Sequence, residues 1–176
     1  MNSNCYICGT VKNCGKYLEN VLKNMELIGA LFSSYKIIIS YDVSNDNSLE
    51  ILQNYQELHL DTMILHVNTD QVYEFRVYNI AKARNKCLNI IREQFPDYEY
   101  FIMMDCDDVC SDIRDLEPLK YYLSNDKDNE LTNGWDSISF NKDHYYDLWA
   151  LSKYPYSFSL IISIKKSHDS SFVIIF

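Results

Sequence analysis

The sequence predicts an α/β fold, a three-layer domain with a mostly parallel central sheet and helices on both faces. Three observations predict it. Short runs rich in β-branched residues alternate with segments whose apolar residues recur at helical spacing. The clearest of these runs is apolar at successive positions, as a strand covered on both sides must be. Each run closes on a polar residue (Thr10, Asp42, Asn68, Asp105), so four strand ends would line one edge of the sheet, the edge where such sheets bind ligands. The alternation implies parallel neighbours, and right-handed crossovers distribute the helices over both faces.

In chain order, Cys5 to Gly9 reads as the first strand, followed by the polar stretch Thr10-Val-Lys-Asn-Cys14. Tyr17, Leu18, Val21, Leu22, Met25 and Ile28 then repeat at helical spacing, with Gly29 as a stop. Tyr35-Lys-Ile-Ile-Ile-Ser-Tyr41 is the second strand, and Ser44-Asn-Asp-Asn-Ser48 is turn and N-cap material. It leads into a helix with Leu49, Leu52 and Tyr55 inward. Met63 to Val67 is the third strand, and residues 69–76 form a polar loop. A long helix follows from about Val77 to Phe95, with Val77, Ile80, Ala81, Leu88, Ile91 and Phe95 as its stripe, and Pro96 ends it. Arg84 falls on that stripe. A buried guanidinium needs a partner, so it either pairs with an acid, points into a ligand site, or snorkels to water.

The fourth strand, Tyr98-Glu-Tyr-Phe-Ile-Met-Met-Asp105, stops at three acids, Asp105, Asp107 and Asp108. In extended backbone, residues two apart face one side, so Asp105 and Asp107 would present their carboxylates together. In a dry site they repel unless a cation or proton lies between them. Oxygen ligands favour Mg2+ or Mn2+, which complete their shells with substrate phosphates. An acidic, solvated turn is the plainer alternative. Beyond the acids, Ser111 to Tyr122 reads as a short helix with Leu116, Leu119 and Leu123 inward. Trp135 to Phe140 reads as a strand, and Asn141 to Trp149 as a polar-aromatic segment suited to sugar rings or to packing on the sheet edge.

Length and charge bound the function. At 176 residues the chain is one domain, read here as residues 1–176 in a single unit. A net charge of −9 argues against nucleic acid or an anionic membrane surface as the main partner. With only 4 glycines, no glycine-rich phosphate cradle is present. The six cysteines lack a second metal-type pair and read as free thiols in a reducing compartment. No signal peptide or membrane-length apolar run is visible, so the expected location is cytoplasmic, with no integral membrane segment.

Together these pieces resemble the nucleotide-sugar-binding half of GT-A-type, family 2-like glycosyltransferases, a Rossmann-like fold. The matching residues are Thr10-Val-Lys-Asn13, the strand ending at Asp42 with Ser44-x-Asp46 after it, Ala83-Arg-Asn85, the hydrophobic strand with Asp105-x-Asp107, and Tyr145-Tyr-Asp-Leu-Trp-Ala-Leu151. The resemblance spans residues 4–151, and the order of the pieces is what makes it specific. It implies transfer of a sugar from a nucleoside-diphosphate sugar to an acceptor hydroxyl on a glycan, protein or lipid, with Mn2+ or Mg2+. By the same resemblance, residues 4–109 form the nucleotide-sugar half and 110–151 the acceptor side. Thr10 and Asp42 contact base and ribose, with Asn68 on the same side. Arg84 supports the diphosphate, Asp105 holds ribose or metal-bound water, and Asp107 ligates the metal. Asp147, or Asp143 or His144, would activate the acceptor hydroxyl.

The chain is shorter than such domains usually are, and residues 152–176 are atypical. Either the apolar runs Ser157–Ile164 and Phe172–Phe176 pack back on the sheet, or the reading frame is a shortened version of a longer protein. Two other readings compete. Asp105-x-Asp107 after an apolar strand also fits the opening motif of haloacid-dehalogenase-type phosphatases, although that motif belongs on an early strand. A non-catalytic nucleotide-sugar binder is the other alternative.

Overall fold

The computed structural model describes residues 3–70, 73–97, 99–113, 115–124, 137–139 and 172–175, the last two segments as backbone. Six strands form one sheet: β1 (Asn4–Val11), β2 (Ser34–Tyr41), β3 (Met63–Val67), β4 (Tyr100–Asp105), β5 (Ser137–Ser139) and β6 (Phe172–Ile175). Their order is β3-β2-β1-β4-β6-β5, and every neighbouring pair is parallel. Residues 172–175 therefore pack back into the sheet, between β4 and β5. The run 157–164 lies outside the described residues.

Between the strands lie α1 (Gly15–Gly29), α2 (Ser48–Leu58), α3 (Arg76–Gln94), α4 (Asp108–Ser111) and α5 (Glu117–Ser124). Strand alternation sorts the core into two layers. Cys5, Ile7 and Val11 of β1, Ile37 and Ile39 of β2, and Ile102 and Met104 of β4 pack with α1, Leu52 of α2, and Leu119 and Leu123 of α5. On the other face Tyr6, Cys8, Ile38, Phe101 and Met103 pack with Cys87, Ile90 and Ile91 of α3. Cys5 and Cys8 thus face opposite layers, which removes them as a zinc pair, and all six cysteines are free. Gly9 lets the first of these layers pack closely: a Cβ there would collide with Cys106 Sγ and crowd Ile39 and Met25.

Two element expectations need correcting. Val77 heads the expected inward stripe of α3, yet it is 56% exposed. A 19-residue helix runs about 28 Å at 1.5 Å per residue. Cys87 already lies over Gly9 and Ile38, near the carboxyl edge of the sheet. The turns of α3 before it therefore project past the apolar rows, and burial begins near Cys87. The single helix expected over Ser111–Tyr122 is instead two pieces, α4 and α5. Pro118 is the reason, because proline is tolerated only in a first turn. It falls at the second position of α5, whose start is braced by Asp115 Oδ1 accepting from Glu117 N at 2.8 Å.

Candidate active site at the carboxyl ends of the strands

On the α3-covered face the strands change from apolar to polar over one two-residue step. The register aligns Ile64, Ile38, Cys8 and Met103 in one row across four strands. The next row toward the carboxyl edge is His66, Ser40, Thr10 and Asp105. Beyond it the ladder continues, with Asp42 N donating to Val11 O at 2.8 Å and Asn68 N donating to Tyr41 O at 2.8 Å. The four polar strand ends read from the sequence therefore share one edge.

Asp105 is held from α3: Arg84 Nη2 donates to its Oδ1 at 2.7 Å. Of the three fates open to Arg84, pairing with an acid is the observed one. Its Nε is buried and finds no hydrogen-bond partner among the described residues. Asp107 lies two residues beyond the strand end and is oriented by a turn, not by strand alternation. It is the N-cap of α4, its Oδ1 accepting from Val109 N at 3.1 Å. Burial pushes its carboxyl above the ordinary 3.8, and the negative charges of Asp105 and Asp108 push it further against the Val109 hydrogen bond. Asp107 therefore feels the field of Asp105, and among the described residues no cation is paired with it.

Asp42 sits in a different balance. Burial opposes its ionisation, but hydrogen bonds from Lys12, Asn68 and Val43 N outweigh it and hold the carboxyl below its ordinary value. Lys12 Nζ donates to Oδ2 at 2.8 Å, Val43 N to Oδ1 at 2.9 Å, and Asn68 Nδ2 to Oδ1 at 3.3 Å. Lys12 was not singled out from the sequence. Continuing the register past Val11 opposite Tyr41 brings Lys12 beside Asp42, and that register belongs to the folded sheet, not to any local pattern of residues.

The loops after β1 and β2 are clasped together. Asn13 adopts φ 55°, a left-handed conformation that Asn tolerates, and this lets its backbone and side chain both bond the facing loop. Its N–H donates to Ser44 Oγ at 2.9 Å, and its Oδ1 accepts from Asn45 N at 2.7 Å. Asp46 then accepts from the first N–H of two helices at once. Oδ2 accepts from Gly15 N at 2.8 Å, and Oδ1 from Ser48 N at 3.0 Å and Ser48 Oγ at 2.6 Å. These bonds, led by Ser48 Oγ, lower its carboxyl below 3.8. A Cβ on Gly15 would strike Asn47 Oδ1, so the clasp needs glycine. Burial raises the Cys14 thiol at this junction, and the fields of Asp107, Asp46 and Asp105 add to the rise. Three acids from two chain segments, the loop after β2 and the end of β4, thus converge about the start of α1.

His66 closes the row at the β3 side. Burial lowers its pKa first, and Lys86 and Lys82 add to that lowering. A groove of about 230 Å3 between α1 and α2, lined by Glu19, Leu22, Ile51, Asn54, Tyr55 and Leu58, contains none of these groups. Asp143, His144 and Asp147 lie outside the described residues. Among the described residues no three His, Cys, Asp or Glu side chains form a closed metal cage. Two carboxylates at a strand tip suit instead a hard cation that takes its remaining ligands from phosphate and water. The electrostatic strain on Asp107 fits such an ion.

Among the described residues no helix is long and apolar enough to cross a membrane. No curated protein matches the chain. The family model described as glycosyl transferase family 2 matches residues 6–171, which takes in all four polar strand ends and the acid pair. This match displaces the phosphatase alternative, in keeping with the acids falling on the fourth strand. With its parallel sheet and polar carboxyl edge, this chain belongs to glycosyl transferase family 2 and is a glycosyltransferase.

Proposed function

We propose that the protein moves a sugar from a nucleoside-diphosphate sugar to an acceptor hydroxyl, with Mn2+ or Mg2+ held by Asp105 and Asp107. The observation that carries this reading is the acid pair at the tip of β4. One member is gripped by Arg84 at 2.7 Å, and the other has its carboxyl raised by burial and by its acidic neighbours. When bound, the cation supplies Lewis-acid stabilisation of the charge developing on the departing diphosphate.

The remaining roles belong to the chain's own side chains. Thr10 and Asp42 meet base and ribose, with Asn68 steadying Asp42. Arg84 fixes Asp105 and supports the diphosphate side of the pocket, a guanidinium being suited to phosphate oxygens. The first turns of α1 and α2 start at the same edge, and their dipoles add partial positive charge there. On the acceptor side Asp147, with Asp143 and His144 as the other choices, takes the proton of the attacking hydroxyl. Residues 4–109 thus serve the donor and 110–151 the acceptor. Free thiols throughout support work in a reducing compartment such as the cytoplasm.

The test is thermal unfolding with UDP, GDP and their sugars, with and without Mn2+. Stabilisation by a nucleoside diphosphate that requires Mn2+, and that Asp107→Ala abolishes, is the expected result. Indifference to every nucleotide in both buffers contradicts the reading.

A further inference from the structure

The environment of Asp42 decides which nucleobase it can read. A carboxylate offers about four lone-pair sites. At Asp42, Oδ1 already accepts from Val43 N at 2.9 Å and Asn68 Nδ2 at 3.3 Å, and Oδ2 accepts from Lys12 Nζ at 2.8 Å. Among the described residues one site remains, on Oδ2, directly beside an ammonium whose side chain is 48% exposed. The outward face of the pair is a single acceptor flanked by spare N–H donors.

We propose that Lys12 and Asp42 act as one recognition unit that selects uracil over guanine, Lys12 being a specificity-determining residue of the donor site. The inference rests on the reading above, in which Asp42 meets the nucleobase. Uracil presents one imide N–H between two carbonyl oxygens. That N–H meets the open lone pair of Oδ2, and the adjacent carbonyl accepts from Lys12. Guanine presents two neighbouring donors, N1–H and the exocyclic amino group, and a carboxylate holds both only by giving one lone pair from each oxygen. Here Oδ1 has none left, so one guanine N–H faces a saturated acceptor. A donor desolvated without a partner is costly, and a site built for one hydrogen-bond pattern rejects another.

Asn68 is the residue that would have to yield for guanine to fit, and it is held from two sides. Its Oδ1 accepts from Asp70 N at 3.1 Å, and its backbone N–H donates to Tyr41 O at 2.8 Å. Asp42 is equally fixed, because the loop that follows it is clasped to residues 13–15 by Ser44 and Asp46. The pattern is therefore built into the folded edge before any nucleotide arrives.

The experiment is calorimetric titration of the full chain with UDP and with GDP, each in Mn2+ buffer, for the parent protein, Lys12→Met and Asn68→Ala. The parent binds UDP more tightly than GDP by about tenfold, the scale of one well-placed hydrogen bond to a charged group. Lys12→Met weakens UDP by about the same factor and GDP less. Asn68→Ala opens Oδ1 and narrows the preference by strengthening GDP. GDP binding as tightly as UDP or tighter in the parent overturns the inference while leaving the nucleotide site standing, as does an unchanged ratio in both variants. Binding of neither diphosphate overturns the underlying reading and this inference with it.

Discussion

Arg84 of α3 reaches across to the last residue of β4, its Nη2 lying 2.7 Å from Asp105 Oδ1. The bond ties the first helix covering the far face of the sheet to the strand that delivers the acids. Both side chains are about one-third exposed, so solvent screens the pair and its net worth to stability is about 1 kcal/mol or less. Arg84→Met should therefore lower the unfolding midpoint only slightly. Calorimetry should show a much larger loss in Mn2+-dependent nucleoside-diphosphate binding, because Asp105 loses its anchor and the diphosphate loses a donor. A large stability loss with unchanged nucleotide affinity would assign Arg84 to the fold alone.

Asp107 separates stability from function in the opposite sense. Burial and neighbouring acids raise its carboxyl above 3.8. An acid whose folded pKa is raised favours the folded state at low pH, and that advantage is lost as pH rises through the folded pKa. At neutral pH the ionised group is thus a liability without a cation. Asp107→Asn keeps an N-cap of similar quality and removes the charge. The apo variant should melt no lower than the parent, and slightly higher at neutral pH, while Mn2+-dependent binding disappears. In the parent, that binding should fade on acidification with a midpoint above 3.8.

Asp46 carries the clasp between the first two loops. Asp46→Ala removes the bonds to the first N–H of α1 and of α2 together, each worth about 1 kcal/mol. A loss near 2 kcal/mol in denaturant unfolding is expected if the two bonds add. The sign of the pH effect follows from its lowered carboxyl. Its contribution is full above the ordinary carboxylate value and is lost as pH falls through the lower folded one. The parent and Asp46→Ala should therefore converge in stability only in strong acid. Convergence near neutrality would show that the clasp does not depend on an ionised Asp46.

On the acceptor side, Asp147→Asn should slow sugar transfer by about a hundredfold or more, the usual scale of a lost general base, without changing nucleotide affinity. Transfer at the parent rate would remove Asp147 from the mechanism and turn attention to Asp143 and His144.

Much of this architecture is legible in the residues because strand ends and helix starts have local chemical causes. Thr10, Asp42, Asn68 and Asp105 each end an apolar run, and parallel pairing then brings them to one edge without further information. The pairing of Arg84 was open from the sequence, since periodicity places it on the stripe but cannot choose between a partner, a site and water. The apolar stripe gives Val77 an inward place, whereas the first turns of α3 project past the apolar rows of the sheet and expose it. Leu116, Leu119 and Leu123 keep helical spacing across Pro118, so periodicity alone runs one helix through the break. Lys12 and the paired helix starts at Asp46 depend on contacts between two loops about 30 residues apart in the chain. No periodic pattern carries information over that separation.

The central claim is that two acids at the tip of β4 hold a cation that in turn holds a diphosphate. The most direct measurement is release of nucleoside diphosphate from a panel of nucleotide sugars by the parent and by Asp107→Ala, with Mn2+ and with chelator. Release that needs Mn2+ and vanishes in Asp107→Ala is the predicted result. Turnover that persists in chelator, or that survives loss of Asp107, would contradict it.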